Sequence, residues 1–205
     1  MSTDRLTRRP HRDSPGLPFI GPLTLARARV HEACGPARRT LALLAARAVE
    51  GPVFWIAPAW ARDRIGAEGA GGLIDPGRLV FVSPQRNDDL LWCMEEVLRT
   101  GVVPLVVCEL PAPPALTPLR RLHLAAETAA REQGGKPLGL VLLPADGGAP
   151  GVESRWHMAT AHAPGTSRWH LERRRARMLP PASWTVTRTT SGDITLDTAP
   201  MPEMA

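Results

Sequence analysis

The sequence predicts an α/β fold: a mainly parallel sheet flanked by helices and extended by antiparallel strands toward the C-terminus. Three observations predict it. Short apolar runs bounded by Gly and Pro alternate with stretches of helical period between residues 27 and 143. The connections are short, which makes consecutive elements neighbours. After a Gly-rich stretch at 144–151 the pattern changes to strands with tight turns, suited to an antiparallel edge on a parallel sheet.

Residues 1–22 read as a flexible basic, Pro-rich arm. Arg5, Arg8, Arg9 and Arg12 are interleaved with Pro10, Pro15, Pro18 and Pro22, and proline both fixes φ and removes a donor. One domain is assigned to 23–198, and 199–205 to a disordered tail. A first strand is expected around 27–33, followed by the turn Cys34-Gly35-Pro36-Ala37-Arg38-Arg39-Thr40 and an Ala/Leu helix over 41–49. Residues 52–57 and 78–83 are short apolar runs suited to buried strands. Asn87 is expected to cap a helix with Asp88 and Asp89 in its first turn, where the dipole favours anions. Leu90, Leu91, Met94, Val97 and Leu98 share one face of that helix, and Gly101 ends it.

Residues 102–109 are β-branched and strand-like. Thr117 reads as the next N-cap with Pro118 at the first helical position. Leu119, Leu122 and Ala126 then face inward, and Glu127 and Arg131 are spaced to pair outside. A buried strand is expected at 138–143. Further strands are expected at 156–163, 168–178, 184–188 and 194–197, with Ser191-Gly192-Asp193 turning the last hairpin.

Composition narrows the function classes. The 205 residues carry 25 Lys+Arg against 20 Asp+Glu, a formal charge of +5. All of the basic residues except Lys136 are arginine, so arginine is the default cation here and no single one is marked for phosphate by its type. No apolar run reaches the ~18 residues of a membrane span. The N-terminal stretch has no apolar core of a secretory signal. Three cysteines, Cys34, Cys93 and Cys108, are odd in number and lack metal spacing, which predicts reduced thiols and a cytoplasmic protein, with nucleoid association open.

In an α/β sheet the first strand–helix turn is the usual phosphate site. A working phosphate loop reads G-x-x-x-x-G-K-[ST], in which glycines let amides close around phosphate, Lys reaches the terminal groups and the hydroxyl holds Mg²⁺. With Thr40 at the hydroxyl position, the two glycines become Ala33 and Arg38 and the lysine becomes Arg39. The vestigial site is therefore assigned to Gly35, Pro36, Arg38, Arg39 and Thr40, together with Glu109, the acid that ends an apolar strand where a metal's water shell would be held.

These segments, in this order, resemble the RecA superfamily core: Gly35-Pro36 before a helix, Phe54-Trp55-Ile56, Ile74-Asp75-Pro76-Gly77-Arg78-Leu79, the helix before Gly101, and Leu105 to Glu109 followed by Ala115-Leu116-Thr117-Pro118. Within it the chain is most similar to the ImuA family, through Val30-His31-Glu32, Arg120-Arg121-Leu122-His123-Leu124-Ala125-Ala126, Ser154-Arg155-Trp156-His157 and Arg168-Trp169-His170-Leu171-Glu172. The resemblance covers about residues 25 to 190. It implies an accessory protein of SOS-induced error-prone translesion DNA synthesis, a mutagenic DNA-damage response. The partners it implies are an inactive Y-family polymerase homologue, an error-prone replicative-type DNA polymerase, RecA and DNA.

The departures argue against catalysis. The glutamate that activates water in RecA is matched by Ala59 in the stretch Ile56-Ala57-Pro58-Ala59-Trp60. Base, loop lysine and loop glycines are all absent, so no ATPase activity and no ATP/Mg cofactor are expected. The length also leaves no room for RecA's separate C-terminal domain. Two alternatives stay open: a cell-division inhibitor resembling SulA, and a divergent phosphate-loop NTPase using Arg39 and Glu109.

Elsewhere, His31, His123, His157, His162 and His170 lack zinc spacing, and Cys34, Cys93 and Cys108 are expected to pack as inert thiols. Arg173-Arg174-Arg175 with Arg177 is the densest basic cluster. Strand alternation predicts Arg173, Arg175 and Arg177 on one face, beside Trp169. That surface suits phosphate backbone with base stacking, or a protein partner, or charge that guards a sheet edge.

Overall fold

The computed structural model describes residues 16–198. The fold is α/β, built on a nine-stranded mixed sheet with helices on both faces. A two-stranded hairpin comes first, β1 (Leu17–Ile20) and β2 (Leu23–Leu25). Then come β3 (Val30–Cys34), α1 (Arg38–Arg47), β4 (Val53–Ile56), α2 (Ala67–Gly71), β5 (Leu79–Val82), α3 (Asn87–Thr100), β6 (Leu105–Glu109), α4 (Leu116–Glu132) and β7 (Leu138–Leu142). The C-terminal strands are β8 (Ser154–Thr160), β9 (Ser167–Ala176), β10 (Ala182–Arg188) and β11 (Ile194–Thr198).

The sheet order is β11-β10-β9-β8-β3-β7-β6-β4-β5. From β8 to β5 the neighbours pair parallel, and from β8 to β11 they pair antiparallel. The chain leaves β3 for β4 in one direction and returns from β5 through β6 to β7 in the other. Right-handed crossovers that travel in opposite directions lay their helices on opposite faces. Accordingly, α1 packs on one face with Trp55, Leu105, Val107, Leu140 and Trp156, while α3 and α4 pack on the other with Val30, Ile56, Val106, Cys108 and Val141. The reversal also makes β3 a switch point, and its C-terminal end is where α/β sheets place a ligand.

The boundaries differ from the sequence reading in instructive ways. The expected arm ends too late: Leu17–Ile20 is a strand, and Leu17, Phe19 and Ile20 are buried with Leu23 and Leu25. Pro18 takes an exposed position, so its missing donor costs nothing, and Gly21 turns the hairpin at φ +51°. Phe19 meets the Trp156 ring edge-on at 5.3 Å. The rest of the arm, 1–15, and the expected tail, 199–205, lie outside the described residues.

Helix starts also shift. Arg86 is the N-cap of α3, so Asn87 is the first helical residue and bonds no amide of the first turn. Ala115 precedes α4, which places Thr117 and Pro118 inside its first turn, where proline's missing N–H is still harmless. Gly101 ends α3 at φ +68° as expected, and Arg131 pairs with Glu127 at 3.2 Å. Two short elements gave no periodic signal, α2 and a 3₁₀ turn at Pro76–Arg78, whose cap Asp75 accepts from the Gly77 amide at 2.9 Å. Among the described residues no helix is long and apolar enough to cross a membrane.

Candidate functional site

The site is the turn between β3 and α1, at the switch point. Gly35 holds φ +87°, a conformation that L side chains rarely adopt, and a Cβ there would stand 2.5 Å from the Met158 carbonyl oxygen. The close approach follows from hydrogen bonding. The Gly35 amide donates to the Ala145 carbonyl at 2.8 Å and the Ala37 amide to the Met158 carbonyl at 2.9 Å. The Arg38 amide turns back onto the Gly35 carbonyl at 3.3 Å, and an Arg38 Nη1–H donates to the same oxygen at 3.2 Å. A phosphate loop needs these amides free; here the protein's own carbonyls take them. His157 fills the space beneath, its Nε2 2.7 Å from where a Gly35 Cβ would be. Pro36 is exposed, and Thr40 makes no side-chain hydrogen bond among the described residues.

Arg39 lies in the first turn of α1 and Glu109 closes β6, so both come to the carboxyl end of the sheet on the α1 face. The guanidinium grips the carboxylate through Nε at 3.0 and 3.1 Å and Nη2 at 2.8 Å, and Nη2 also donates to the Asp63 carbonyl at 2.7 Å. From the buried side, Trp55 Nε1–H donates to Glu109 Oε1 at 2.8 Å. Arg39 and Glu109, expected from the sequence as the cation and the acid of a vestigial nucleotide site, here satisfy one another. A charge-assisted, forked pair of this kind is among the strongest polar interactions a protein makes, and a ligand would have to break it. Ala59 offers only backbone, its amide donating to the Pro84 carbonyl at 3.0 Å and its carbonyl accepting from Arg64.

The Gly-rich loop is pinned in the same manner. Glu32, fully buried in β3, accepts from the amides of Gly148 at 2.8 Å and Ala149 at 3.0 Å, and from Arg155 Nε at 2.8 Å. Gly147 passes so close that an added Cβ would sit 1.7 Å from Glu32 Oε1. The carboxylate thus occupies a nest of backbone donors that could otherwise receive an anion.

The basic cluster is split by a β-bulge. The register of β8 on β9 steps between Arg155 and Trp156, so Trp156 faces Arg173 while Arg155 faces Arg175, leaving Arg174 extra. The expected single face of Arg173, Arg175 and Arg177 is therefore corrected. Arg173 lies over the rings of Trp156 and Trp184, at 5.7 and 5.2 Å from their centroids. Arg175 and Arg177 reach a cleft on the α4 face, beside Arg29 and His123. Arg174 is held by Glu172 and Asp146, each at 2.7 Å. Trp169 is buried in the core against His162, with no ring face left for a base.

The remaining candidates are structural. Cys34 and Cys108 are buried; burial pushes the Cys34 thiol up to about 12 and raises Cys108 further. Cys93, half-buried on α3, is raised by the same cause. His31 ends a buried relay: Trp156 Nε1–H donates to Ser154 Oγ at 2.7 Å, the hydroxyl faces His31 Nδ1 at 2.6 Å, and His31 Nε2 faces the Ala26 carbonyl at 2.9 Å. Among the described residues no group of three His, Cys, Asp or Glu is placed to hold a metal.

Sequence reasoning found Arg39 and Glu109 separately but missed Trp55, Asp63 and Glu32. Trp55 carried a weak signal, since strand period puts it two residues from Val53 on the α1 face. Glu32 carried none, because its donors are backbone amides 116 and 117 residues away. No family model matches the chain, and no curated protein matches its sequence.

Proposed function

We propose that the chain is a non-catalytic accessory protein with a RecA-like core, acting in error-prone translesion DNA synthesis by bringing proteins together in the cytoplasm. The observation that carries the non-catalytic half is the Arg39–Glu109 pair, which closes the place where Mg-nucleotide would be gripped. The Gly35 and Ala37 amides, both engaged by carbonyls, support the same reading. The RecA-like half is supported by β3 at the switch point, with its turn and the end of β6 converging on one site. The translesion role rests on the sequence resemblance.

Two measurements test it. Titration calorimetry of the protein with Mg-ATP is expected to give no binding heat, and a turnover assay no phosphate release; saturable binding or Arg39-dependent hydrolysis would establish an NTPase instead. Affinity purification is expected to retain an inactive Y-family polymerase homologue and an error-prone replicative-type polymerase. Retention of a tubulin-like division protein in their place would assign a cell-division inhibitor.

A further inference from the structure

The connection from β9 to β10 projects Met178 and Leu179, 82% and 50% exposed, followed by the exposed Pro180 and Pro181. Prolines stiffen this tip, and Arg173 Nε–H ties it down by donating to the Pro180 carbonyl at 3.0 Å. An apolar tip held rigid in solvent offers contact area at small entropic cost on binding.

A cleft of about 340 Å³ lies between α4, residues 151–153 and the end of β9, and its lining ends at Arg177, the chain neighbour of Met178. Its acids are spent: Arg29 bridges Glu127 and Glu153, and Arg131 also pairs with Glu127. Its outer arginines are not. Arg175 and Arg177 are exposed and make no side-chain hydrogen bond or ion pair among the described residues, although most neighbouring arginines are paired. The bulge produces this difference, because it turns Arg174 onto Glu172 and Asp146 and sends Arg175 to the cleft.

We propose that the β9–β10 tip and this cleft together dock an acidic, leucine-bearing segment of a protein partner. The carboxylates would meet Arg175 and Arg177, and an apolar side chain would pack on Met178 and Leu179. Single-stranded nucleic acid fits less well. It needs exposed aromatic faces for its bases, and here Trp156 and Trp169 are buried and Trp184 is covered by Arg173. Exposed Met beside Arg is the composition of protein interfaces. The proposal rests on the accessory-protein reading and gives it a surface.

The probe is a fluorescein-labelled synthetic peptide alternating Glu with Leu, followed by fluorescence anisotropy, beside the same peptide with Gln for Glu and an oligothymidylate of equal length. The Glu/Leu peptide is expected to bind the full chain and to weaken with salt. Arg175→Glu/Arg177→Glu is expected to weaken binding roughly tenfold or more, since rim charges are inverted, and Met178→Ser/Leu179→Ser about fivefold. Both variants should melt with the wild type, because the altered side chains are exposed.

Absence of binding, equal binding of the Gln peptide, indifference to either variant, or tighter oligothymidylate binding through the same arginines would each overturn the proposal. Affinity purification separates this failure from that of the wider reading. If the charge-reversed variant retains the polymerases as the wild type does, the surface is refuted and the accessory role stands. If the wild type binds the peptide but retains no polymerase, the role is refuted and the surface stands.

Discussion

Arg39 and Glu109 stand seventy residues apart in the chain and grip each other through three N–H···O contacts of 2.8 to 3.1 Å, with Trp55 closing the pair from below. The pair is a strut between α1 and β6. Glu109 has only 11% of its side chain exposed, so the strut is costly to break from one side. Arg39→Ala is expected to lose about 3 kcal/mol, the usual result of leaving a buried charge unpaired. Arg39→Lys should lose less, keeping charge without the fork. Urea unfolding of the three proteins measures this; equal stability of wild type and Arg39→Ala would show the pair to be incidental.

Glu32 predicts a larger effect on a loop than on a ligand. Glu32→Ala removes the acceptor of two amides and one guanidinium, all around a buried position, and is expected to cost about 3 kcal/mol or more. Amide exchange should rise first at Gly148 and Ala149. Uniform exchange along the chain would show that the carboxylate does not pin the loop.

His31 makes stability depend on pH. Burial holds its pKa at about 4 against an ordinary 6.5, with the Ala26 carbonyl opposing and the His123 and Arg29 charges assisting. The unfolded chain therefore binds the proton that the folded chain refuses. This contribution is complete above pH 6.5 and is lost as pH falls toward 4, by up to about 3 kcal/mol. Denaturant midpoints at pH 7 and pH 5 should show the drop. His31→Gln should be less stable at pH 7 but flatter between the two; an unaltered slope would place the titration elsewhere.

Arg173 is expected to behave as a packing residue. Lying over Trp156 and Trp184, it should cost about 1 to 2 kcal/mol on replacement by alanine, with a change in tryptophan emission. Acidic-peptide affinity should fall only a few-fold, since the side chain lies away from the cleft and touches the docking surface only through its bond to the Pro180 carbonyl. A large loss of affinity without loss of stability would return Arg173 to the binding surface.

The alternation of apolar runs with helical stretches was enough to read most strands, because a buried strand needs a continuous apolar run whatever its neighbours are. The departure of the β3–α1 turn from a working phosphate loop was also legible, since Arg38 and Arg39 stand where such a loop requires Gly and Lys. The N-terminal hairpin was not. Pro15, Pro18 and Pro22 dominate the local signal, and only the presence of Trp156 and α1 makes burying Leu17 and Phe19 worthwhile.

By itself, then, the sequence determined the α/β class, the succession of elements and the mismatch of the first strand–helix turn to a working phosphate loop, all of which depend on local period and side-chain chemistry. Tertiary structure alone decided what satisfies the groups of that turn and which arginines remain free. Arg39 of α1 is satisfied by a carboxylate at the end of β6, the Gly35 amide by a carbonyl 110 residues on, and one bulge in β9 sends Arg173 to the tryptophans and Arg175 to the cleft. Such pairings depend on register and distance across the sheet, and no local pattern in the chain encodes them.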